Sequence, residues 1–320
     1  MIIELKNQVI NGKQISKEEA SILLHANLET LCKSANEIRA FFCKDAFDIC
    51  TITNGKSGGC PENCKFCAQS AHYKEAQAKV YPLLNKEQIV KEAKYNADKG
   101  ILRYSIVTSG RRLSKKEIDE ICKSYKEIKN TCDISLCASH GLLDYEDFIK
   151  LKEAGVVRYH NNLETSRRYF PSVCTTHTYD EKIATIQAAQ KAGMDVCSGG
   201  IIGMGKTMED RLDMAFELRN LGVKSVPINI LNPIEGTPFG KNAVLTDEEI
   251  LRVTAIFRFI LPDSALRLAG GRGLLTDKGK ALFQSGSNAA ISGDMLTTMG
   301  VTITEDMEML AELNYRVERL

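Results

Sequence analysis

Three cysteines within eight residues carry the most specific chemistry in this 320-residue chain. In GGCPENCKFCAQS, Cys60, Cys64 and Cys67 stand in a C-x3-C-x2-C run. Thiolates at this spacing can wrap one soft metal centre, and iron–sulfur clusters prefer such ligands. A ferredoxin-type run is spaced C-x2-C-x2-C and needs a fourth cysteine. Here the next cysteine is Cys122, inside a segment of helical period, so one iron would lack a protein ligand and stay open to a small molecule. Zinc is the competing occupant, with a histidine such as His72 completing the set.

A second group of chemically able residues is scattered. Ser105, Cys137, His160-Asn161-Asn162, Cys197, Asn229 and Arg267 each fall toward the end of a short apolar run. A lone strand cysteine is normally a small core residue. Cys137 and Cys197 aimed at one place beside an inward arginine would instead form a second metal site. A buried arginine is costly unless paired or coordinated, so Arg267 reads as a ligand or as a cation beside an anionic group. Gly199, Gly200, Gly203 and Gly205 precede a helix start, where a backbone can approach a cofactor closely and hold a carboxylate. A tight turn explains them equally well, and they lack the dinucleotide-binding spacing.

These residues must be positioned by strands. The first 47 residues read as helical; from Phe47 short apolar strands alternate with amphipathic helices. Strands are predicted over 47–53, 102–107, 133–137, 156–160, 195–198, 225–231, 265–269 and 288–291. Helices are predicted over 85–98, 114–130, 145–153, 178–191, 208–220, 247–259 and 279–283. Asn85 with Gln88, and Ser114 with Glu117, have the reciprocal capping pattern. About eight βα units without a linker require a parallel sheet, by count a (β/α)8 TIM-type barrel with a doubly wound sheet as the alternative. The division is then a helical extension over 1–47, a barrel over 48–302 and a terminal helix over 303–320 packed on the barrel. Barrel active sites lie at the C-terminal ends of the strands, which would bring the 54–72 loop and the scattered residues together.

Composition removes other classes. With 42 basic and 41 acidic residues the formal charge is +1, without the basic excess of a nucleic-acid binder or a polybasic membrane anchor. No apolar run approaches the roughly 20 residues of a membrane span. The opening MIIELKNQVING lacks the features of a signal peptide. The expected address is cytoplasmic, where 11 cysteines read as core residues and metal ligands rather than disulfides.

The triplet, with Phe66 before its last cysteine, has the radical S-adenosylmethionine (SAM) signature. Together with YHNNLETSRRYFPSVCTTHTYDEK, MDVCSGGIIGMGKT, SVPINILNPIEGTP and LRLAGGR it resembles the biotin synthase family over about residues 15–300. The resemblance implies a 4Fe-4S cluster on Cys60, Cys64 and Cys67 whose open iron chelates SAM and whose electron releases a 5′-deoxyadenosyl radical. It implies an auxiliary 2Fe-2S cluster at positions matching Ser105, Cys137, Cys197 and Arg267. It implies cofactor contacts from Glu164, Gly199, Gly200, Gly203 and Asn229. Substrate contacts are implied for His160, Asn162 and Asn229, amides being suited to the cyclic urea of dethiobiotin. His160 stands where the family commonly has asparagine, and Lys206 replaces a common acid. Two SAM molecules per product, loss of a cluster sulfide, a flavodoxin or ferredoxin reductant and a homodimer are also implied.

Ser105 departs from the family, which has cysteine there. Either the alignment is displaced, although no cysteine lies nearby, or a serine alkoxide ligates iron as a harder donor. The third reading, adopted here, is an auxiliary cluster of different nuclearity, added sulfide or substitute ligand; the thiol-rich chain suggests an anaerobic host that would preserve it. Cys174 is the candidate substitute, against its reading as an ordinary buried thiol. Cys32, Cys43, Cys50 and Cys122 read as structural. The rival function is another radical enzyme, such as a diiron-hydrogenase maturase; a noncatalytic metal-binding scaffold would leave the polar strand ends unexplained.

Overall fold

The computed structural model describes residues 1–320 except Gln77. Its strands are β1 (Ala46–Lys56), β2 (Arg103–Thr108), β3 (Ser135–Ser139), β4 (Val156–His160), β5 (Asp195–Cys197), β6 (Gly200–Ile202), β7 (Ser225–Ile230), β8 (Ala265–Leu268) and β9 (Ala289–Ser292). All pair in parallel, and β9 pairs back onto β1, closing the sheet. That closure excludes the doubly wound alternative. Both β5 and β6 pair with β7 and together fill one position of an eight-position barrel. The break between them has a local cause. Pro227 on β7 has no N–H for the ladder, and a Cβ added at Gly199 would lie 1.9 Å from the Pro227 carbonyl oxygen.

The strands are buried on both faces, as parallel strands under a helix layer must be. Helices Lys86–Asp98 and Lys115–Thr131 start with the capping boxes of Asn85–Gln88 and Ser114–Glu117. Between β8 and β9 the chain supplies a single 3-10 turn, Arg272–Leu274, and the short helix Lys280–Phe283. The N-terminal helix Leu28–Cys43 packs along Asp247–Ile260 and fills the outer layer there.

The C-terminus differs from a single helix over 303–320. The helix is Ile303–Glu312. Asn314, with φ 58°, turns the chain, and β10 (Arg316–Val317) pairs with Ala46 and Phe47 of β1. Hydrogen bonding to β1 wins over further helix because Leu320 N–H then reaches Asp48 Oδ2 at 3.0 Å inside the barrel. Among the described residues, no helix is long and apolar enough to cross a membrane.

Candidate active site

Side chains alternate inward and outward along each strand. A barrel of this size is normally filled by layers of apolar side chains. Here the inward residues are largely polar and enclose a cavity of about 360 Å³.

The cysteine loop lies across the mouth. Cys60 N–H donates to the Gln69 carbonyl (3.0 Å), Ala71 N–H to that of Cys60 (2.8 Å), and Cys67 N–H to that of Cys64 (3.0 Å). This folds the loop on itself and gathers three free, partly exposed thiols. Burial pushes the thiols of Cys60 and Cys67 up, the latter to about 11. They become good thiolates when a cation takes their charge. His72 is turned to the Pro61 carbonyl, its Nε2 at 3.0 Å, so no zinc set with His72 is assembled among the described residues.

Glu164, just beyond β4, has φ 69°, an uncommon conformation for a residue with a Cβ. Its N–H donates to the Gly199 carbonyl and its own carbonyl accepts from Ile201 N–H, each at 3.0 Å. A Cβ at Gly200 would lie 2.5 Å from the Glu164 carbonyl oxygen, so the pairing needs glycine. Oε2 of the buried carboxylate has no partner among the described residues, and burial raises its pKa. A strained backbone with an orphan acceptor is the profile of a ligand-binding carboxylate.

Asn162 Oδ1 accepts from Gly199 N–H at 3.0 Å. Asn229 donates to the Gly200 carbonyl (3.2 Å) and accepts from Gly270 N–H (2.9 Å). Both amides therefore shape the glycine segments as well as lining the cavity with His160. Gly203 turns the chain at φ 97° before helix Met208–Asn220. Thr207 and Asp210 cap that helix reciprocally, which occupies two of the N–H groups at its start. Lys206 is buried and donates to the Glu164 carbonyl at 3.2 Å; burial, with Arg211 nearby, lowers it to about 7.

A second constellation lies deeper. Strand register places Ser105 opposite Cys137, Cys137 opposite Arg158, His160 opposite Cys197, and Pro227 opposite Arg267. Ser105, Cys137 and Arg267 are thus mid-strand, below the mouth, and not at strand ends as the sequence suggested. Cys50 joins them: it faces the cavity, with Arg267 Nη1 3.2 Å from its Sγ. Sequence alone reads Cys50 as structural; here it lines the cavity. Cys174, expected as a substitute ligand here, does not line this cavity. It packs with Cys64 and His177, their ligand atoms within 4.8 Å of one another, because the 170–177 segment is tied to Asn63 in the cysteine loop. Contact with Cys64, then with His177 and Thr176, draws its thiol down to about 3.

Beneath the deep thiols three arginines converge on Asp48, which is 0% exposed. Arg103 Nε is 2.7 Å, Arg267 Nη2 2.8 Å and Arg158 Nη1 3.9 Å from its carboxylate. Burial favours the neutral acid, but the three guanidinium groups overcome it and hold the carboxyl at about 2. Arg267 Nη1 also donates to the Asp48 and Ala290 carbonyls at 3.0 Å each, so Arg267 is a locked cation. Burial lifts Cys50 to about 12 despite Arg267. At Cys197 burial is outweighed by His160, Arg267 and Arg158, giving about 6. Three cations around one carboxylate, facing three thiols, suit an anionic thiolate-bound centre. One lining segment carried no sequence signal: Met295 to Thr298 borders the cavity, fastened by Asn54 Nδ2 to the Leu296 carbonyl at 3.1 Å.

Residues 56–218 match the radical SAM superfamily, and residues 227–316 match the Biotin and Thiamin Synthesis associated domain. A biotin synthase of Clostridium botulinum (strain Hall) is 55% identical over 99% of both chains. One of Akkermansia muciniphila is 57% identical, covering 98% of this chain and 97% of the relative. In fold, the crystal structure of methylornithine synthase is similar with a TM-score of 0.85 at 17% identity, over 98% of this chain and 97% of that one. The hydrogenase maturase HydG follows with a TM-score of 0.84 at 20% identity, over 98% and 74%.

Proposed function

As the chain belongs to the biotin synthase family of the radical SAM superfamily, we infer that it inserts sulfur into dethiobiotin to form biotin. The observation that supports the site assignment is a cysteine loop whose Cys67 lines the same cavity as the deeper thiols of Cys50, Cys137 and Cys197. Cys60, Cys64 and Cys67 at the mouth would hold the 4Fe-4S cluster. Cys50, Cys137 and Cys197 below would hold the auxiliary cluster, with Arg267 neutralising charge and Ser105 at its edge. When bound, these groups supply the electron that generates the deoxyadenosyl radical and the sulfur that enters the product.

The chain's own residues position the reactants and exclude water. Glu164 would accept the ribose hydroxyls of SAM; Gly199 and Gly200, expected as cofactor contacts, instead make room for the Pro227 and Glu164 carbonyls and so act by holding Glu164 in place. His160 and Asn162 face the substrate urea between the two levels. Enclosure matters because a primary radical in an open site would take hydrogen from any donor. A flavodoxin or ferredoxin as electron donor, a homodimer and a cytoplasmic address complete this reading.

Anaerobic turnover tests it directly: dethiobiotin, SAM and a low-potential reductant should yield biotin and two 5′-deoxyadenosines per product. Deoxyadenosine formed without biotin would instead favour another radical reaction. Glu164→Gln keeps the side chain's size and removes its charge. It should weaken SAM binding to the cluster-loaded protein about 10-fold, the worth of one charge-assisted hydrogen bond. Equilibrium dialysis measures this, and an unchanged affinity would remove Glu164 from the ribose site.

A further inference from the structure

We propose that Arg158 is a sulfide-holding residue of the second metal site, its Nε–H and Nη1–H donating to sulfur of the auxiliary cluster. The inference rests on the functional reading above. Arg158 is 6% exposed. Its Nη2 donates to the Leu320 carbonyl oxygen at 2.8 Å, but Nε and Nη1 have no hydrogen-bond partner among the described residues. The Asp48 carboxylate, at 3.9 Å from Nη1, is beyond hydrogen-bond range, and Asp195, at 3.8 Å from Nη2, is largely exposed. Arg103 and Arg267, by contrast, are bonded into Asp48. A buried guanidinium with two unmade hydrogen bonds is strongly unfavourable unless a guest completes them.

The register identifies that guest. Arg158 is opposite Cys137 and two residues before His160, the partner of Cys197. It therefore lines the cavity level with Cys137 and one layer below Cys197, away from the mouth. A substrate entering from the mouth meets the thiols first, so the anion within reach of Arg158 is the centre those thiols hold. Charge-assisted N–H donation would neutralise its sulfide and slow its loss.

The test uses the full chain carrying Cys60→Ala, Cys64→Ala and Cys67→Ala, so that only the second site binds iron. Iron and acid-labile sulfide are followed under an iron chelator, with resonance Raman spectra of the Fe–S modes. Adding Arg158→Leu should shorten the cluster lifetime about 10- to 100-fold, as loss of an outer-shell partner does, and shift the bridging modes. Arg158→Lys should restore part of the lifetime but not the modes. Circular dichroism of each variant reports folding; if Arg158→Leu does not fold, Arg158→Lys carries the test. Parental lifetime and modes in the folded variants would overturn the proposal. So would weakened dethiobiotin binding with an unchanged cluster, which would give Arg158 to the substrate carboxylate. A parent without any second cluster would be distinct, since it removes the functional reading itself.

Discussion

Cys50→Ser should abolish biotin formation while leaving reductive cleavage of SAM intact. The variant keeps a group that can accept from Arg267 Nη1, now 3.2 Å from sulfur, so the packing of the floor survives. What it loses is a soft ligand. Outer-shell changes at metal sites already lower affinity or activity 10- to 100-fold, so loss of a direct ligand should reduce biotin formation by more than about 100-fold. The 4Fe-4S cluster at the mouth is untouched, and 5′-deoxyadenosine should still form. Ser105→Ala is the paired variant. Ser105 lines the same cavity opposite Cys137, and if Cys50 supplies the third thiolate its hydroxyl is dispensable, with activity within a few-fold of the parent. Product analysis of both variants decides the matter. The reverse pattern, with Ser105→Ala inactive and Cys50→Ser active, would establish a serine alkoxide as ligand.

Asp48→Asn should destabilise the cluster-free chain by about 3–5 kcal/mol, the usual result of removing one partner from a buried ion pair. Asp48 is the buried carboxylate on which three buried arginines converge, and its removal leaves those charges facing one another. The effect has a pH signature. The folded carboxyl titrates at about 2, against an ordinary value of 3.8. A carboxyl depressed by folding contributes stability that is present above its unfolded pKa and lost as pH falls through the folded one. The gap between parent and Asp48→Asn should therefore be constant above about pH 4 and narrow toward pH 2, read from urea unfolding across that range. A gap independent of pH would mean that Asp48 acts through packing and not through charge.

Charge also separates the two expectations for Arg267. Its position suggested either a ligand or a neutralising cation, and the two are alike in sequence. The structure favours the cation: the guanidinium is bonded to Asp48, Ala290 and Cys50, and that environment raises its pKa further.

What was legible in the sequence was local. The C-x3-C-x2-C run folds its own loop through hydrogen bonds within a dozen residues. The capping boxes at Asn85 and Ser114 each join residues three positions apart and form as read. The strand–helix alternation sets the barrel because each βα unit must bury its own faces. The roles of Cys50 and Cys174 were not legible, and for one physical reason. A strand buried on both faces shows no apolar–polar alternation, so the sequence states that Cys50 and Asp48 share a face but not which face. Here the inward face is the polar one, the reverse of the usual cue. Cys174 was placed by a tie between residues 111 positions apart, and the C-terminal strand by hydrogen bonds from the last residues to β1. The identity of the chemistry was therefore written in short-range spacing. Which thiols line one cavity, and which arginine is left with open donors, was decided only when the barrel closed and its register brought distant strands level.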